Sequence, residues 1–452
     1  MVAMKSLSFI KSTLGRLTRS RILRDSSVLF LGNWVNLLIA LVTSALLLRL
    51  LGPDGFGLVA VAMTAVNFVI TFIDAQTDEA LIRFMGASLA RGERDSALTF
   101  FYAAIMLDAA VAVIALVVVM LVVPPVIRTY PNGDLLQHMA WIYIITTPFN
   151  ILQNNFEAIF RTFKTFRLMT IIRILTSLFS LILLAIMGTQ GVVPVIWGYV
   201  IVAVVTFMAN VGCASWLMVR HLRGARAGGY RAVFRQLMPF VFHTSFTGSL
   251  KSIAGNIDVL LLGALASPSA VAFFKLAKSA VGLIALPVAP VTTVVYPLMN
   301  EAWAVGNMAK VKHLISRFML YSATISAGIA LVFLVAADWL VYTVYGEQSL
   351  PIAALIRIMS VGVVLESVMG WVRTAALADG KPQLTTFTGT AASILYIPLE
   401  VLLIYNLGAT GSALGYIAAV LMMITFNTLY VLPRLGLWKF PGHKAPSSAA
   451  HV

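Results

Sequence analysis

Apolar residues along this chain fall into long, nearly unbroken runs, and polar residues gather in short clusters between them. Windows of 18 or more apolar residues, punctuated by Gly, Pro and charge, predict about twelve membrane-spanning helices. They lie near 28–50, 56–74, 98–123, 136–156, 166–187, 192–219, 238–263, 270–298, 313–336, 351–376, 384–405 and 410–433. A helix rising about 1.5 Å per residue needs runs of this length to cross about 30 Å of hydrocarbon. The first run is long and follows a drawn-out basic segment, so it is expected to stay as a span rather than leave as a signal peptide.

Composition makes the same point, because 60% apolar and only 11% charged residues in 452 exclude a soluble domain. The expected fold class is an all-α polytopic membrane protein.

Charge orients the spans, since Lys and Arg in short loops stay on the cytoplasmic side. One side carries the basic residues from Lys5 to Arg24, then Arg83, Arg91 and Arg94, then Arg161, Lys164 and Arg167, and the stretch Arg220 to Arg235; Lys310, Lys312, Arg373, Lys381, Arg434, Lys439 and Lys444 continue it. The opposite loops hold only Arg128, with acids at Asp54, Asp134, Asp338 and Glu347. Both termini are therefore expected in the cytoplasm, and the net charge of +15 reflects topology rather than nucleic-acid binding. Within 5–24, Leu7, Ile10, Leu14 and Leu17 recur at helical spacing among basic residues. That pattern fits an interfacial amphipathic helix on anionic lipid, or a solvated tail.

Chemistry-bearing motifs are sparse. Cys213 is the single cysteine, the six His are scattered without metal-ligand spacing, and no phosphate-cradling GxxxxGK[ST] loop occurs. No cofactor, metal or catalytic group is expected, and no outer loop is long enough for an extramembrane catalytic domain.

An internal repeat organises the chain at an offset of about 215 residues. "LLRLLGPDGFGLVAVA" around Pro53 aligns with "LLLGALASPSAVAFFKLA" around Pro268, and "SLARGERDSA" around Gly92 with "AWAVGNMAKV" around Gly306. Arg161 aligns with Arg373, and Gly198-Tyr199 with Gly415-Tyr416. Two six-helix lobes follow, 26–219 and 237–433, related by a pseudo-two-fold axis along the membrane normal. A basic segment 1–25 precedes them, a basic linker 220–236 joins them and a tail 434–452 ends the chain.

Several charges fall inside the predicted spans. Lys275 lies roughly 9 Å and Lys278 roughly 14 Å below the outer surface, and Lys251 roughly 18 Å from the cytoplasmic side. Asp108, Arg173, Arg357 and Glu366 are also intramembrane, Asp258 and Glu400 lie towards the outer end, and Arg49 sits at the outer end of span one. A charge at the bilayer centre costs roughly 2.5 to 3.5 kcal/mol on insertion scales, so such a set must line a wet cavity or pair internally. Lys275 and Lys278 read as partners of Asp258, Glu366 or Asp108, as snorkelling side chains, or as an anion-attracting wall; two cations on one turn with no acid between them favour the wall. Arg49 reads equally as an interfacial anchor, Arg173 as a snorkelling side chain, and Glu366 as a partner of Arg357. Asp74, Asp78, Glu79 and Arg83 read as a solvated cytoplasmic face. Pro287, Pro290 and Pro297 follow the lysines and predict a bent or unwound helix, either a static kink or a hinge at Pro287 and Pro290.

The stretch "RLLGPDGFGLVAVA", the block "GNIDVLLLGALASPSAVAFFKLAKSAVGLIALPVAPVTTVVYPLMNEA" and "IFRTFKTFRL" resemble polysaccharide, or O-antigen-type, flippases of the multidrug/oligosaccharidyl-lipid/polysaccharide exporter superfamily. The resemblance spans nearly the whole chain. It implies two six-helix lobes in a V and movement of undecaprenyl-diphosphate-linked oligosaccharides from the cytoplasmic to the periplasmic leaflet of a bacterial inner membrane. It also implies a cationic central cavity, which maps onto Lys251, Lys275, Lys278, Arg49 and Arg173, with Asp108, Asp258 and Glu366 as charge-balancing or ion-coupling candidates. The partners implied are the lipid-linked oligosaccharide and membrane lipids, with polysaccharide polymerase or export machinery as a further candidate and no nucleic acid. Competing readings are a cation-coupled drug exporter of the same superfamily, a membrane-embedded glycan polymerase or ligase, and a scaffold recruiting a synthesis complex.

Overall fold

The computed structural model describes residues 21–379 and 382–434, most of them with side chains, and among these all regular structure is helical. The basic segment 1–25 up to residue 20 and the tail beyond Arg434 lie outside the described residues, as do the side chains of Lys251 and Pro290.

Helix α1 (Arg21–Ile73) bends at Gly52, whose φ of 71° and ψ of 170° leave the helical region. A residue ahead of proline is pushed towards extended ψ, and glycine takes positive φ without a Cβ penalty, so Gly52-Pro53 turns the chain between two spans. After a break at residues 74–76 come α2 (Thr77–Ala90), α3 (Arg94–Ile127) and α4 (Gly133–Tyr143), then a short 3-10 turn (Ile144–Thr146). Next are α5 (Thr147–Thr162), α6 (Phe166–Gly188), α7 (Val192–His221) and α8 (Tyr230–Leu265). The series ends with α9 (Pro268–Ala285), α10 (Ala289–Ala304), α11 (Met308–Tyr345), α12 (Pro351–Ala378) and α13 (Pro382–Arg434), the last bent at Gly408 with φ of 56°.

Among the described residues, eight helical stretches are long and apolar enough to cross a membrane. Two of them, in α1 and α13, bend into two arms each, so these eight stretches supply ten straight helical arms against the twelve spans expected from the sequence. Leu121, Ile182 and Val335 stand exposed on these helices, as lipid-facing residues do.

Compactness divides the chain into two units. One holds α1 up to Leu51, residues 65–128 and residues 132–249; the other holds 52–64, 129–131 and the chain from Leu250. Within the stretch 220–236, expected as a linker, α8 already begins at Tyr230.

In the first unit, α2 is amphipathic: Glu79 and Arg83 stand exposed on the face expected to be solvated, and the opposite face is apolar. Ala80, Leu81 and Met85 are buried in a core with Phe100, Phe101 and Phe160. The acids of its first turn, Asp78 and Glu79, complement the positive end of the helix dipole and hide the apolar stripe behind them. Arg83 lies over the rings of Phe84 and Phe240, at 5.4 and 4.9 Å. The second unit packs Met299, Val311, Phe318, Trp371 and Ala375 into a core of its own.

The repeat is visible in backbone detail. Gly92 and Gly306 both take positive φ, 79° and 69°. Each closes a helix with the same pair of bonds: Glu93 N–H to Ser88 O and Asn307 N–H to Ala302 O, both at 2.9 Å, beside Gly92 N–H to Leu89 O and Gly306 N–H to Trp303 O. This is a Schellman-type end, in which glycine is favoured because the residue must be left-handed. Within the second unit the two equivalent proline turns meet, with Ser269 N–H donating to Asp54 Oδ1 at 3.1 Å. A Cβ on Gly57 would overlap the Pro268 carbonyl.

Gly411-x-x-x-Gly415 has a concrete role at the α13 bend. A Cβ at 411 would strike the Leu403 carbonyl, and one at 415 would strike the Glu400 carboxylate. Gly415→Ala is therefore expected to destabilise the protein by about 1 to 3 kcal/mol through overpacking. The thermal midpoint of the detergent-solubilised chain checks this; an unchanged midpoint contradicts the close approach.

Candidate functional site in the membrane-spanning helices

In the second unit, α9 starts with Ser267 as its cap, the hydroxyl accepting from Ala270 N–H at 3.2 Å, and with Pro268 in the first turn, where a missing N–H costs nothing. The helix then carries Lys275 and Lys278 one turn apart and ends at Ala285. Their environments differ. Lys278 Nζ donates to Asp258 Oδ2 of α8 at 2.5 Å and lies 5.6 Å from the centre of the Phe274 ring, and Asp258 is almost wholly buried. Lys275 is half-buried, and among the described residues no carboxylate lies within ion-pair reach of it. The two lysines are thus divided, one tied to a carboxylate and one without a carboxylate partner among the described residues.

Other charges in this unit are also partnered. Glu400 is fully buried and accepts from Ser412 Oγ at 2.5 Å across the α13 bend. Glu366 is exposed and accepts from Tyr416 OH at 2.9 Å, the ring fitting against Gly362. The expected facing of Glu366 and Arg357 is corrected, since Arg357 Nη2 pairs with Asp338 Oδ2 at 2.7 Å. Asp338 was expected in an outer loop, but α11 continues to Tyr345 and brings it alongside α12. The proline-rich stretch breaks the eighth span: α9 gives way to a turn at 286–288 containing Pro287, and α10 begins with Pro290 in its first turn. Lys275 lies about 15 Å along the axis from this break.

In the first unit, Asp108 Oδ2 accepts from Thr77 Oγ1 at 2.7 Å and from Asn155 Nδ2 at 2.6 Å. All three residues are buried. Arg173 does not stand alone: its Nη2 donates to Glu157 Oε2 of α5. Arg161 pairs with Asp78 at 3.7 Å. Arg49 is exposed, close to the α1 bend. Lys251 lies on α8 with its side chain outside the described residues.

The family model described as "Polysaccharide biosynthesis protein" matches residues 22–303, more than half of the chain. This chain belongs to that family. No curated protein matches it in sequence. Among solved structures, it is similar to an inward-facing multidrug resistance MATE family transporter of the MOP superfamily, with TM-score 0.68, 14% identity and coverage of 89% of this chain and 94% of that one. It is similar to the lipid II flippase MurJ in an inward closed conformation, with TM-score 0.68, 13% identity and coverage of 90% and 87%. A third is a MOP superfamily transporter from Pyrococcus furiosus described as having a binding pocket of reverse polarity, with TM-score 0.64, 15% identity and coverage of 92% and 95%. The polysaccharide biosynthesis chain therefore has the helical fold of the MOP superfamily transporters.

Sequence reading passed over three polar groups that this family member builds into its interior. Glu157 fell beyond the expected end of span four, yet α5 runs on to Thr162 and holds it against Arg173. Asn155 and Thr77, on two other helices, both donate to Asp108. The signal for Glu157 was present: Asn150, Asn154, Glu157 and Arg161 recur at helical spacing, a polar face that a lipid-facing helix cannot carry.

Proposed function

We propose that this protein moves lipid-linked oligosaccharides across a bacterial inner membrane, from the cytoplasmic to the periplasmic leaflet, with both termini in the cytoplasm. The observation that carries this reading is Lys275, an ammonium group inside a span without a carboxylate partner among the described residues. Membership of the polysaccharide biosynthesis family supports a glycan as cargo. A charge left without a counter-ion in hydrocarbon is costly, so its environment is expected to be completed by an anion that comes and goes. The diphosphate of a polyprenyl-linked sugar has that chemistry, and lysine recognises phosphate as a point charge rather than through a rigid fork, which suits a head group that must leave again.

The tail of such a lipid remains in hydrocarbon, and only the polar head needs a hydrated path. With the cytoplasm negative, each negative charge moved outward gains about 2.3 kcal/mol per 100 mV, which biases export without nucleotide hydrolysis. Vesicles reconstituted with only this protein and a fluorescent undecaprenyl-diphosphate glycan test the reading. Transfer of the glycan between leaflets, faster with the correct sign of membrane potential, is the expected result; leaflet distribution equal to protein-free vesicles rules it out. A drug exporter would instead move lipophilic cations in the same vesicles.

A further inference from the structure

We infer that α5 and α6 form a second recognition surface in this protein, a ladder of hydrogen-bonding groups that takes the uncharged hydroxyls of the glycan. The inference rests on the reading of the cargo as a lipid-linked oligosaccharide. Its core is one face of α5, where Asn150, Gln153, Asn154, Glu157 and Arg161 follow one another at helical spacing. The hidden face of the same helix is different, formed by Thr147, Ile151, Asn155 and Ala158. Counted from Thr162, Glu157 stands about 8 Å, Asn154 about 12 Å and Asn150 about 18 Å along the axis. The ladder thus climbs from one end of the span to its middle.

Neighbouring helices extend it. Arg173 of α6 binds Glu157, whose other oxygen accepts from Gln153 Nε2 at 3.2 Å. One turn further on, Ser177 Oγ donates to Asn36 Oδ1 of α1 at 3.0 Å. Both members of the Arg173–Glu157 pair keep some exposure, with 35% and 14% of their side chains accessible. A guanidinium held by a carboxylate and still partly accessible within a span is costly against lipid tails and suits a face that borders water.

Chemistry then narrows the ligand. The ion pairs Arg173–Glu157 and Arg161–Asp78 leave the ladder close to neutral, unlike Lys275, which has no carboxylate partner among the described residues. Asn154 is half-buried, and among the described residues its carboxamide makes no hydrogen bond. Carboxamides each offer two donors and a two-lone-pair acceptor, and a carboxylate held by arginine offers further acceptors. Groups that donate and accept at short spacing, without charge, match this supply, and the hydroxyls of a pyranose are such groups. Phe149, Phe156 and Phe207 pack edge to face beside the ladder, an apolar flank of the kind that sugar C–H surfaces cover.

The test uses the full chain in nanodiscs and native mass spectrometry with two probes: the undecaprenyl-diphosphate-linked glycan extracted from membranes of the source organism, and undecaprenyl diphosphate itself. Asn154→Leu and Gln153→Leu should each weaken glycan binding by about fivefold to tenfold, the loss of one or two hydrogen bonds, with undecaprenyl diphosphate bound as before. Asn154 has no partner to lose, so its thermal midpoint should stay that of the unmodified chain; Asn154→Ala repeats the measurement with a smaller side chain. Glycan binding unchanged in these variants, or both probes weakened equally, overturns the ladder and leaves the proposed function standing. Binding of neither probe by the unmodified chain overturns both.

Discussion

Lys278→Ala should destabilise the protein by about 3 kcal/mol, the low end of the cost of removing one partner from a buried ion pair. The reason is Asp258, which is 3% exposed and receives Lys278 Nζ at 2.5 Å. Without the ammonium, a carboxylate stays in a low-dielectric interior where, among the described residues, the Val259 N–H at 2.8 Å is its remaining hydrogen-bond donor. Part of the Lys278 side chain remains accessible, which is why the low end applies. The double variant Lys278→Met with Asp258→Asn removes both charges and should regain most of the lost stability, because a neutral pair of similar volume avoids the stranded charge. Thermal midpoints of the purified single and double variants check this. A single variant as stable as the parent, or a double variant no better than the single, means the pair does not hold α8 to α9.

Lys275→Ala should behave in the opposite way. Its ammonium has no carboxylate to abandon among the described residues, so the fold should be retained and the thermal midpoint nearly unchanged. Transfer of the lipid-linked glycan should fall at least about tenfold, since a hydrogen bond to a charged group contributes about 1.5 to 3 kcal/mol. Lys275→Arg keeps the charge and should retain more transport than Lys275→Ala, though a planar fork fits a passing phosphate differently from a point charge. Measuring surface polysaccharide in cells together with the amount of protein in the membrane separates this from a folding defect. Full export by Lys275→Ala at normal protein levels removes the assigned role. The two lysines are therefore best tested one at a time, because a combined Lys275 and Lys278 substitution mixes lost transport with lost stability.

Much of this molecule was legible before any coordinates. Length and apolar periodicity are enough to specify spanning helices, because backbone polar groups in hydrocarbon must be satisfied within the segment itself. Gly52-Pro53, Gly92 and Gly306, in the stretches that anchored the repeat, are places where the backbone turns, since positive φ and the residue ahead of proline are local constraints. The repeat was readable for the same reason, the same turn chemistry recurring at one offset. Intramembrane charge was legible as well, and with it the demand for a partner or for water.

Choice of partner was not. Lys278 with Asp258, Arg173 with Glu157 and Arg357 with Asp338 join different helices, and a one-dimensional pattern holds no information on which faces meet. The apolar side of α2 was not read from the sequence, because acids follow the break at 74–76; the core that Leu81 and Met85 share with Phe100 and Phe160 reveals it. Sequence by itself determined that helices cross a membrane and that they carry charges hydrocarbon will not accept. Tertiary structure alone decided which of those charges are neutralised and that Lys275 is left without a carboxylate partner among the described residues, because neutralisation depends on distances of about 3 Å between side chains far apart in the chain.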